Sequence, residues 1–272
     1  FFSGAPPMIA RPVPASACCL AYATALAAAC FAAPYAERAP WLPGDLWKGL
    51  ALDVLGTAVV FRFSRRYSNS SVYDPFWVLA PLALGFYWKA KAPGGFWYYE
   101  PRETMCLVLL WAWATRFLVG VPWDGWTRGL AHEDWRYEQI RTQRMPSEAA
   151  YWAFSLASLH VTPTLLVFAA LCPVGRVLLQ GTAAPPLGLV DALGAGVAAA
   201  ALVVEAVADE QLRRFRQRES GRPPTSMREG LWRWSRHPNY FGECLFWTGL
   251  LGLAVGAGAV GPEPALCGGA LG

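Results

Sequence analysis

The chain has 272 residues, of which 55% are hydrophobic and only 15% charged, and its formal net charge is +4. A water-soluble domain carries roughly 25% charged residues, so the composition argues against a soluble protein and predicts one embedded in a membrane. We expect membrane lipids among its partners and no nucleic acid.

Seven apolar runs follow one another along the chain. They cover residues 16–35, 46–61, 72–88, 104–121, 149–171, 187–208 and 241–260. Most come close to the ~20 residues that a helix needs to cross the hydrocarbon core of a bilayer, and the second and third are the shortest. No polar linker divides them, so the sequence predicts an all-α protein, an integral membrane bundle of six to seven transmembrane helices.

The polar loops between these runs differ in their basic residues. With seven spans, the loops on one side of the membrane hold 16 Lys and Arg and comprise residues 1–15, 62–71, 122–148 and 209–240. The loops on the other side hold five and comprise residues 36–45, 89–103 and 172–186. Because basic loops stay on the cytosolic face, both large polar loops are expected there, or on the equivalent face of an organelle.

The first residues predict a shortened N-terminus. Phe1 is not a methionine, and the first 15 residues include four prolines. A cleaved targeting peptide or trimming would each explain this start. We expect a multi-pass protein of the endoplasmic reticulum or, if a targeting peptide has been cleaved, of a plastid or mitochondrial membrane.

The loop at 122–148 contains the charged stretch EDWRYEQIRTQR. If residues 133–144 are helical, their polar side chains recur at spacings of three or four and share one face. The residues on that face are Glu133, Arg136, Tyr137, Arg141 and Arg144. The stretch is either a solvated interfacial helix with internal ion pairs or a clamp for an anion such as phosphate.

A second polar stripe begins inside the sixth apolar run, in LVVEAVADEQLRRFRQR. Glu205, Asp209 and Arg213 recur four residues apart, so a helix would place them on one face. Ionisable groups at membrane depth usually face a cavity or a partner. This helix end is therefore either a surface with ordinary ion pairs or one wall of a binding site.

The basic residues that follow this stripe are all arginines. From Arg213 to Arg236 the chain has eight arginines and no lysine. Arginine binds phosphate through two parallel hydrogen bonds and keeps its charge where water is scarce. A lipid-headgroup anchor would use arginine and lysine alike, so the pattern favours recognition of a phosphate by geometry.

The stretch EGLWRWSRHPNYFGE gathers polar groups directly before the last apolar run. Arg236 and His237 offer hydrogen-bond donors, and Asn239 can bind an amide or a ribose. Tyr240 offers a hydroxyl and a ring, and Glu243 follows Asn239 by one helical turn. A dinucleotide needs such cations, polar groups and an aromatic wall together, so the stretch is a candidate dinucleotide site.

The seven cysteines and three histidines show no spacing typical of metal ligands, so we expect no metal site. His160 is interpreted as a packed core histidine. Pro163, three residues later, is expected to kink its helix.

Three long stretches together resemble one family. EGLWRWSRHPNYFGE, EDWRYEQIR and DALGAGVAAAALVVEAVADEQLRRF are similar to segments of a multi-pass membrane family of largely unassigned function. That family, similar to 3-oxo-5-alpha-steroid 4-dehydrogenases, lies within the steroid 5-alpha-reductase and sterol reductase superfamily. SSVYDPFWVLAP and LVLLWAWATRF extend the likeness, which covers roughly residues 70–255.

The resemblance implies an enzyme that reduces a carbon–carbon double bond in a steroid- or isoprenoid-like lipid with NADPH. It divides the chain into an N-terminal arm with the first transmembrane helix, 1–45, and a reductase-like region with a C-terminal NADPH-binding part, 46–272. The cofactor residues that it implies are Glu133, Arg136, Arg141, Asp209, Arg213, Arg236, His237, Asn239 and Tyr240. The catalytic candidates are Tyr240, Tyr137 and Glu243.

Two other functions stay open. An isoprenylcysteine-type methyltransferase of the same superfamily also uses an Arg-His-Pro-x-Tyr stretch but binds S-adenosylmethionine, and Asn239 with the Phe-Gly-Glu sequel resembles the reductases more. The chain could instead be a non-catalytic accessory subunit that keeps the reductase fold inside a larger membrane complex.

Overall fold

Helices form almost all of the regular structure in the described part of the chain, which covers residues 11–120, 129–219 and 226–260 of a computed structural model. In chain order they are α1 (Ala15–Glu37), α2 (Asp45–Tyr67), α3 (Phe76–Lys91), α4 (Pro101–Thr115), α5 (Trp135–Gln139), α6 (Glu148–Phe154), α7 (Thr162–Gln180), α8 (Leu189–Arg218) and α9 (Pro238–Gly256). Wider π-helical turns follow α4, α5 and α6, at Arg116–Gly120, Ile140–Arg144 and Ser155–Val161. Two short strands, β1 (Val13–Pro14) and β2 (Gly129–Leu130), pair antiparallel.

Helices cover most of each of the seven apolar runs in the described part of the chain, so the prediction of an all-α protein is confirmed. Within the described residues, three helical segments are long and apolar enough to cross a membrane: Ala15–Glu37, Glu148–Gln180 and Leu189–Arg218. Their length and composition indicate a membrane protein. The count of six or seven spans stays a prediction.

The third apolar run becomes helical later than its hydropathy indicates. Ser68 ends α2 in a left-handed conformation, with φ of 50°. The Asn69 side chain then accepts a hydrogen bond from the Ser71 backbone N–H at 3.0 Å and caps a short 3-10 turn, Ser70–Tyr73. Because this turn uses residues 70–73, α3 begins only at Phe76.

The chain divides into two compact units, and the division falls inside α3 and α7. Among the described residues, unit 1 comprises 11–87 and 129–170. Unit 2 comprises 88–120, 171–219 and 226–260.

The core of unit 1 combines small apolar residues with buried hydroxyl groups. Ala21 and Val60 are fully buried in it, beside small residues of α1 and aromatic side chains of the Ser70–Tyr73 turn and α3. The Tyr73 hydroxyl lies 2.6 Å from Thr164 Oγ1, which lies 2.7 Å from Thr57 Oγ1. Such bonds satisfy polar atoms that would be costly to bury alone.

Unit 2 depends on the close approach of α8 and α9. A Cβ atom added to Gly194 would lie 2.8 Å from the Gly249 carbonyl oxygen, and one added to Gly249 would lie 2.6 Å from the Ala198 nitrogen. Helices that carry small residues at their contact can bring their backbones this close. The close packing of the two helices determines which residues of α8 and α9 face each other.

A buried ion pair ties α4 to α8. Arg102 donates from Nε to Asp191 Oδ1 at 2.7 Å and from Nη2 to Asp191 Oδ2 at 2.9 Å. It also donates to the carbonyl oxygens of Pro185 and Gly256, at 3.0 and 3.3 Å. Because the carboxylate and the guanidinium are both satisfied, this clamp is a structural contact that holds unit 2 together.

Candidate functional site

A cluster of charges lies inside unit 2, at the end of α4. Arg116 donates from Nη1 to Asp209 Oδ2 at 2.6 Å, and its Nη2 forms an ion pair with Glu205. Glu243 Oε2 lies 3.7 Å from the same Nη2. The Glu205 side chain is fully buried, whereas those of Asp209 and Glu243 are 22% and 27% exposed. These four residues form the Arg116 cluster.

The Arg116 cluster contains more acids than bases. Its three carboxylates and one guanidinium give a formal charge of −2 when all are ionised. Neutral donors stabilise the acids: Trp247 Nε1 and Trp113 Nε1 donate to Glu243 Oε1 at 2.7 and 3.1 Å. Asn239 Nδ2 donates to Asp209 Oδ1 at 3.2 Å. Since Asp209 and Glu243 stay partly exposed, they can also accept hydrogen bonds from hydroxyl groups of a ligand.

The start of α9 presents polar groups at the surface of unit 2. His237 is the residue before the helix, and Pro238 occupies its first turn, where a missing N–H costs nothing. The His237 ring stacks on the Tyr240 ring, with centroids 5.0 Å apart and planes 13° apart. Tyr240 is 60% exposed, and within the described residues its hydroxyl makes no hydrogen bond.

The exposed arginines in the described part of unit 2 fall into two groups, those that bind a carboxylate and those that do not. Arg213 and Arg214 both bind Glu210, at 2.7 and 2.5 Å, so the carboxylate partner of Arg213 is Glu210 and not Asp209 of the predicted stripe. The second group consists of exposed arginines without a carboxylate partner in the described part of the chain, namely Arg216, Arg228, Arg233 and Arg236. This second group is available to an anionic ligand.

The predicted cofactor and catalytic residues of loop 122–148 lie in unit 1 and have protein partners, namely Glu133, Arg136, Tyr137 and Arg141. Glu133 precedes the helix, which begins only at Trp135, so the prediction of one continuous face is wrong. Glu133 is buried and accepts hydrogen bonds from the Ser70 backbone N–H at 2.5 Å and from the Tyr151 hydroxyl at 3.1 Å. Arg141, also buried, donates to the Ser68 carbonyl oxygen at 3.0 Å and lies 3.4 Å from Glu133.

Burial shifts the pKa of two residues of this loop. Burial raises the pKa of Glu133 above its usual value, against the opposing effect of its hydrogen bond from Ser70 and of Arg141. Burial also raises the pKa of Tyr137, whose hydroxyl donates to Asp74 at 3.0 Å. Tyr137 therefore holds its proton firmly. Because the Tyr137 hydroxyl proton points to Asp74, Tyr137 is less suited to donate a proton to a substrate.

Arg136 lies at the surface and pairs with its neighbour. Its side chain is 57% exposed, and it donates from Nη2 to Asp134 Oδ2 at 2.8 Å. The Asp134 side chain also caps α5 by accepting from the Arg136 backbone N–H at 2.9 Å. These bonds lower the pKa of Asp134. Arg144 is exposed as well.

His160 lies in the core of unit 1, as its interpretation as a packed histidine requires. It is fully buried, with Nε2 3.0 Å from Ser64 Oγ and Nδ1 2.9 Å from the Ser155 carbonyl oxygen. The Ser155–Val161 π-helical turn ends two residues before Pro163. Proline lacks the N–H that would continue the regular ladder, so the helix is irregular at the place where the sequence predicted a kink.

One family matches most of the chain. Residues 60–268 match a family described as proteins of unknown function, DUF1295. The chain belongs to the DUF1295 family. No match to a curated protein or to a solved structure was found.

The match to DUF1295 spans the Arg116 cluster, the start of α9 and the loop at 122–148. Sequence reasoning missed the residue at the centre of that cluster, Arg116, and the two tryptophans that bind Glu243. A signal was present, because Arg116 is a single arginine within the apolar run 104–121. An ionisable residue within such a run indicates a buried partner.

Proposed function

We propose that this chain is a membrane-embedded reductase that uses NADPH to reduce a carbon–carbon double bond in a steroid- or isoprenoid-like lipid. The observation that carries the proposal is the surface of unit 2 at the start of α9. There Arg233 and Arg236 lie exposed without a carboxylate partner among the described residues, beside the stacked His237 and Tyr240 rings. The stretch that contains this surface, EGLWRWSRHPNYFGE, is also one of the three that carry the resemblance to reductases.

The residue types of this surface fit the parts of a dinucleotide phosphate. Unpaired guanidinium groups bind phosphates through charge-assisted hydrogen bonds, and Arg216, Arg233 and Arg236 supply them. Asp209 and Asn239 carry acceptors and donors for ribose hydroxyl or amide groups. The stacked His237 and Tyr240 supply a flat surface for a ring.

The reduction requires a hydride on one carbon of the double bond and a proton on the other. NADPH, when bound, supplies the hydride. Tyr240 is the best-supported proton donor of the three candidates, because its hydroxyl has no partner within the described residues. The Tyr137 hydroxyl is already donated to Asp74, and Glu243 accepts from Trp113 and Trp247. Some of the residues predicted to bind the cofactor lie in unit 1 and the others in unit 2. That both sets bind the same cofactor stays a prediction.

The test measures nucleotide binding and hydride transfer in the purified protein in nanodiscs. Arg236→Ala is expected to weaken NADPH binding roughly 10- to 150-fold, because a charge-assisted hydrogen bond contributes ~1.5–3 kcal/mol. Arg218→Ala is the matched control, since Arg218 is an exposed arginine of unit 2 that already pairs with Glu229 at 2.7 Å. Equal losses in the two variants would indicate a general effect of charge and contradict the proposed site.

Tyr240→Phe separates catalysis from packing. It keeps the ring that stacks on His237 and removes only the hydroxyl, so melting temperature and NADPH affinity should stay near wild type. Single-turnover NADPH oxidation with an enone lipid should slow by ~10²–10⁴ if Tyr240 donates the proton. Tyr35→Phe is the control, because Tyr35 is a 62% exposed tyrosine of α1 in unit 1.

A second candidate function is that of an accessory subunit in a larger membrane complex. The observation that favours it is the internal bonding of predicted cofactor residues in unit 1, where Glu133 and Arg141 bind each other and the backbone. A properly folded wild-type protein that binds no nicotinamide nucleotide, and that leaves native membranes only in a large complex, would favour this function. Saturable binding of S-adenosylmethionine in its place would favour a methyltransferase.

A further inference from the structure

A cavity in unit 1 has an almost entirely apolar wall. It encloses about 570 Å³ between α1, α2 and α3, within the 300–1,000 Å³ typical of small-molecule sites. Alanine and leucine side chains make up most of the lining. At its rim, Leu26 and Phe86 are 54% and 43% exposed, so an apolar molecule can enter along the outer surface of unit 1.

One acidic residue interrupts this wall. Asp53 of α2 lines the cavity and is only 8% exposed. Within the described residues its carboxyl group has no hydrogen-bond or ion-pair partner. A buried polar group without a partner is costly, and the cost is removed if a molecule in the cavity supplies the missing hydrogen bonds.

Both tyrosine hydroxyl groups in the lining are already engaged. The Tyr22 hydroxyl donates to the Val72 carbonyl oxygen at 3.0 Å, and the Tyr87 hydroxyl donates to Glu37 at 2.8 Å. Among the side-chain oxygen groups of the lining, the Asp53 carboxyl is therefore the one with hydrogen-bonding capacity left over. A molecule that matches the cavity has a hydrocarbon body and one small polar group.

We propose that this cavity binds an apolar alcohol whose single hydroxyl group hydrogen-bonds to Asp53. A hydroxyl group matches one carboxyl, because it needs one acceptor for its proton and can accept one bond in return. An ammonium group carries three N–H donors, which a single carboxyl in an apolar wall does not satisfy. The site belongs to unit 1 alone and requires no nucleotide, so it is independent of the proposed reduction.

The test uses three photoreactive probes with the same diazirine-bearing 16-carbon chain: the alcohol, its methyl ether and the hydrocarbon. Each is crosslinked to the full chain in nanodiscs without nucleotide, and the labelled peptides are identified by mass spectrometry. The wild type should label peptides of α1, α2 and α3 with the alcohol roughly 5- to 150-fold more than with the ether, since an unsatisfied buried polar atom has an effect of that size. Equal labelling by all three probes would overturn the proposal and indicate a groove for any lipid chain.

Two variants of Asp53 test the anchor. Asp53→Asn keeps a group that can donate and accept, so it should keep the preference for the alcohol. Asp53→Leu should abolish that preference while labelling by the hydrocarbon persists. If Asp53→Leu fails to fold, the comparison of alcohol and ether on the wild type and on Asp53→Asn still decides the question.

A control variant and a further probe complete the design. Asp45→Asn changes an acid of the same helix that binds Lys48 at 3.1 Å and does not line the cavity, so labelling should be unchanged. The fourth probe is the matching primary amine. The wild type could label more strongly with the amine than with the alcohol, and this difference could disappear in Asp53→Asn. That result would overturn the proposal of an alcohol and indicate an ion pair with the carboxylate.

Discussion

At the scale of single residues, the same side-chain types have different roles according to burial. Arg102 and Arg116 lie in the interior of unit 2 with acids around them, whereas Arg236 is exposed without a carboxylate partner in the described part of the chain. Removal of either partner of a buried ion pair destabilises the fold strongly, because the remaining charge stays buried without a partner. An exposed guanidinium contributes little to stability and is available for binding.

The Arg116 cluster allows a test of this difference. Arg116→Leu leaves Glu205, Asp209 and Glu243 without their cation, so the free energy of unfolding should fall by about 3–5 kcal/mol. Arg116→Lys keeps the charge but not the planar fork, so its free energy of unfolding should lie between those of Arg116→Leu and the wild type. Thermal unfolding in detergent measures both, with Arg218→Ala as the exposed control. A melting temperature of Arg116→Leu equal to that of the control would contradict the assigned role.

At the scale of elements, the packing of α8 against α9 decides which side chains of unit 2 meet. Gly242 also lies in this contact, where an added Cβ would come 3.2 Å from the Ala201 carbonyl oxygen. Because the backbones are close, Glu205 on α8 and Glu243 on α9 both reach Arg116. The glycines at this contact thus influence the Arg116 cluster indirectly, because they allow the short distance between α8 and α9.

Two glycines of α8 form a matched pair for testing this packing. Gly194→Ala places a methyl group 2.8 Å from the Gly249 carbonyl oxygen and should cost about 1–3 kcal/mol through overpacking. Gly196→Ala, two residues along the same helix, meets nothing within 4 Å and should be neutral or stabilising by up to about 1 kcal/mol. Thermal unfolding of both variants in one detergent gives the comparison. Similar stability in the two would mean that α8 and α9 lie further apart than described.

At the scale of the whole molecule, charge and hydropathy predict how the chain lies in a membrane. In the part of the chain that the structure describes, three helical segments are long and apolar enough to span it, and the basic residues of the sequence concentrate in loops of one predicted side. The positive-inside rule then places residues 122–148 and 209–240 on one face. This placement comes from the sequence alone.

Labelling of single cysteines tests that topology. In a background with all seven native cysteines replaced, Gln139→Cys and Arg228→Cys should react with a membrane-impermeant maleimide from the same side. Gly95→Cys, in the loop 89–103 of the opposite predicted side, should react only from the other side. Reaction of residues 139 and 228 from opposite faces would refute the predicted topology and, with it, a cofactor site that uses both loops.

The sequence by itself determined where the helices lie and that the protein belongs in a membrane. Both properties are local, because the length and hydropathy of a run decide whether a helix can cross a bilayer. The last apolar run, 241–260, was predicted to begin three residues later than α9, which starts at Pro238 because proline suits a first helical turn. Boundaries were less certain, and the Ser70–Tyr73 turn moved the start of α3 to Phe76.

Only the tertiary structure decided which charged residues pair and which remain available. Arg116 and Asp209 are 93 residues apart in sequence, and Glu133 binds the Ser70 backbone across 63 residues. No spacing rule along one helix predicts such partners, because they depend on which faces of which helices pack together. The same packing left Asp53 facing an apolar cavity without a partner among the described residues. A single acid in an apolar run indicates from the sequence that a polar group is buried there. Which residues surround that group is decided by the fold.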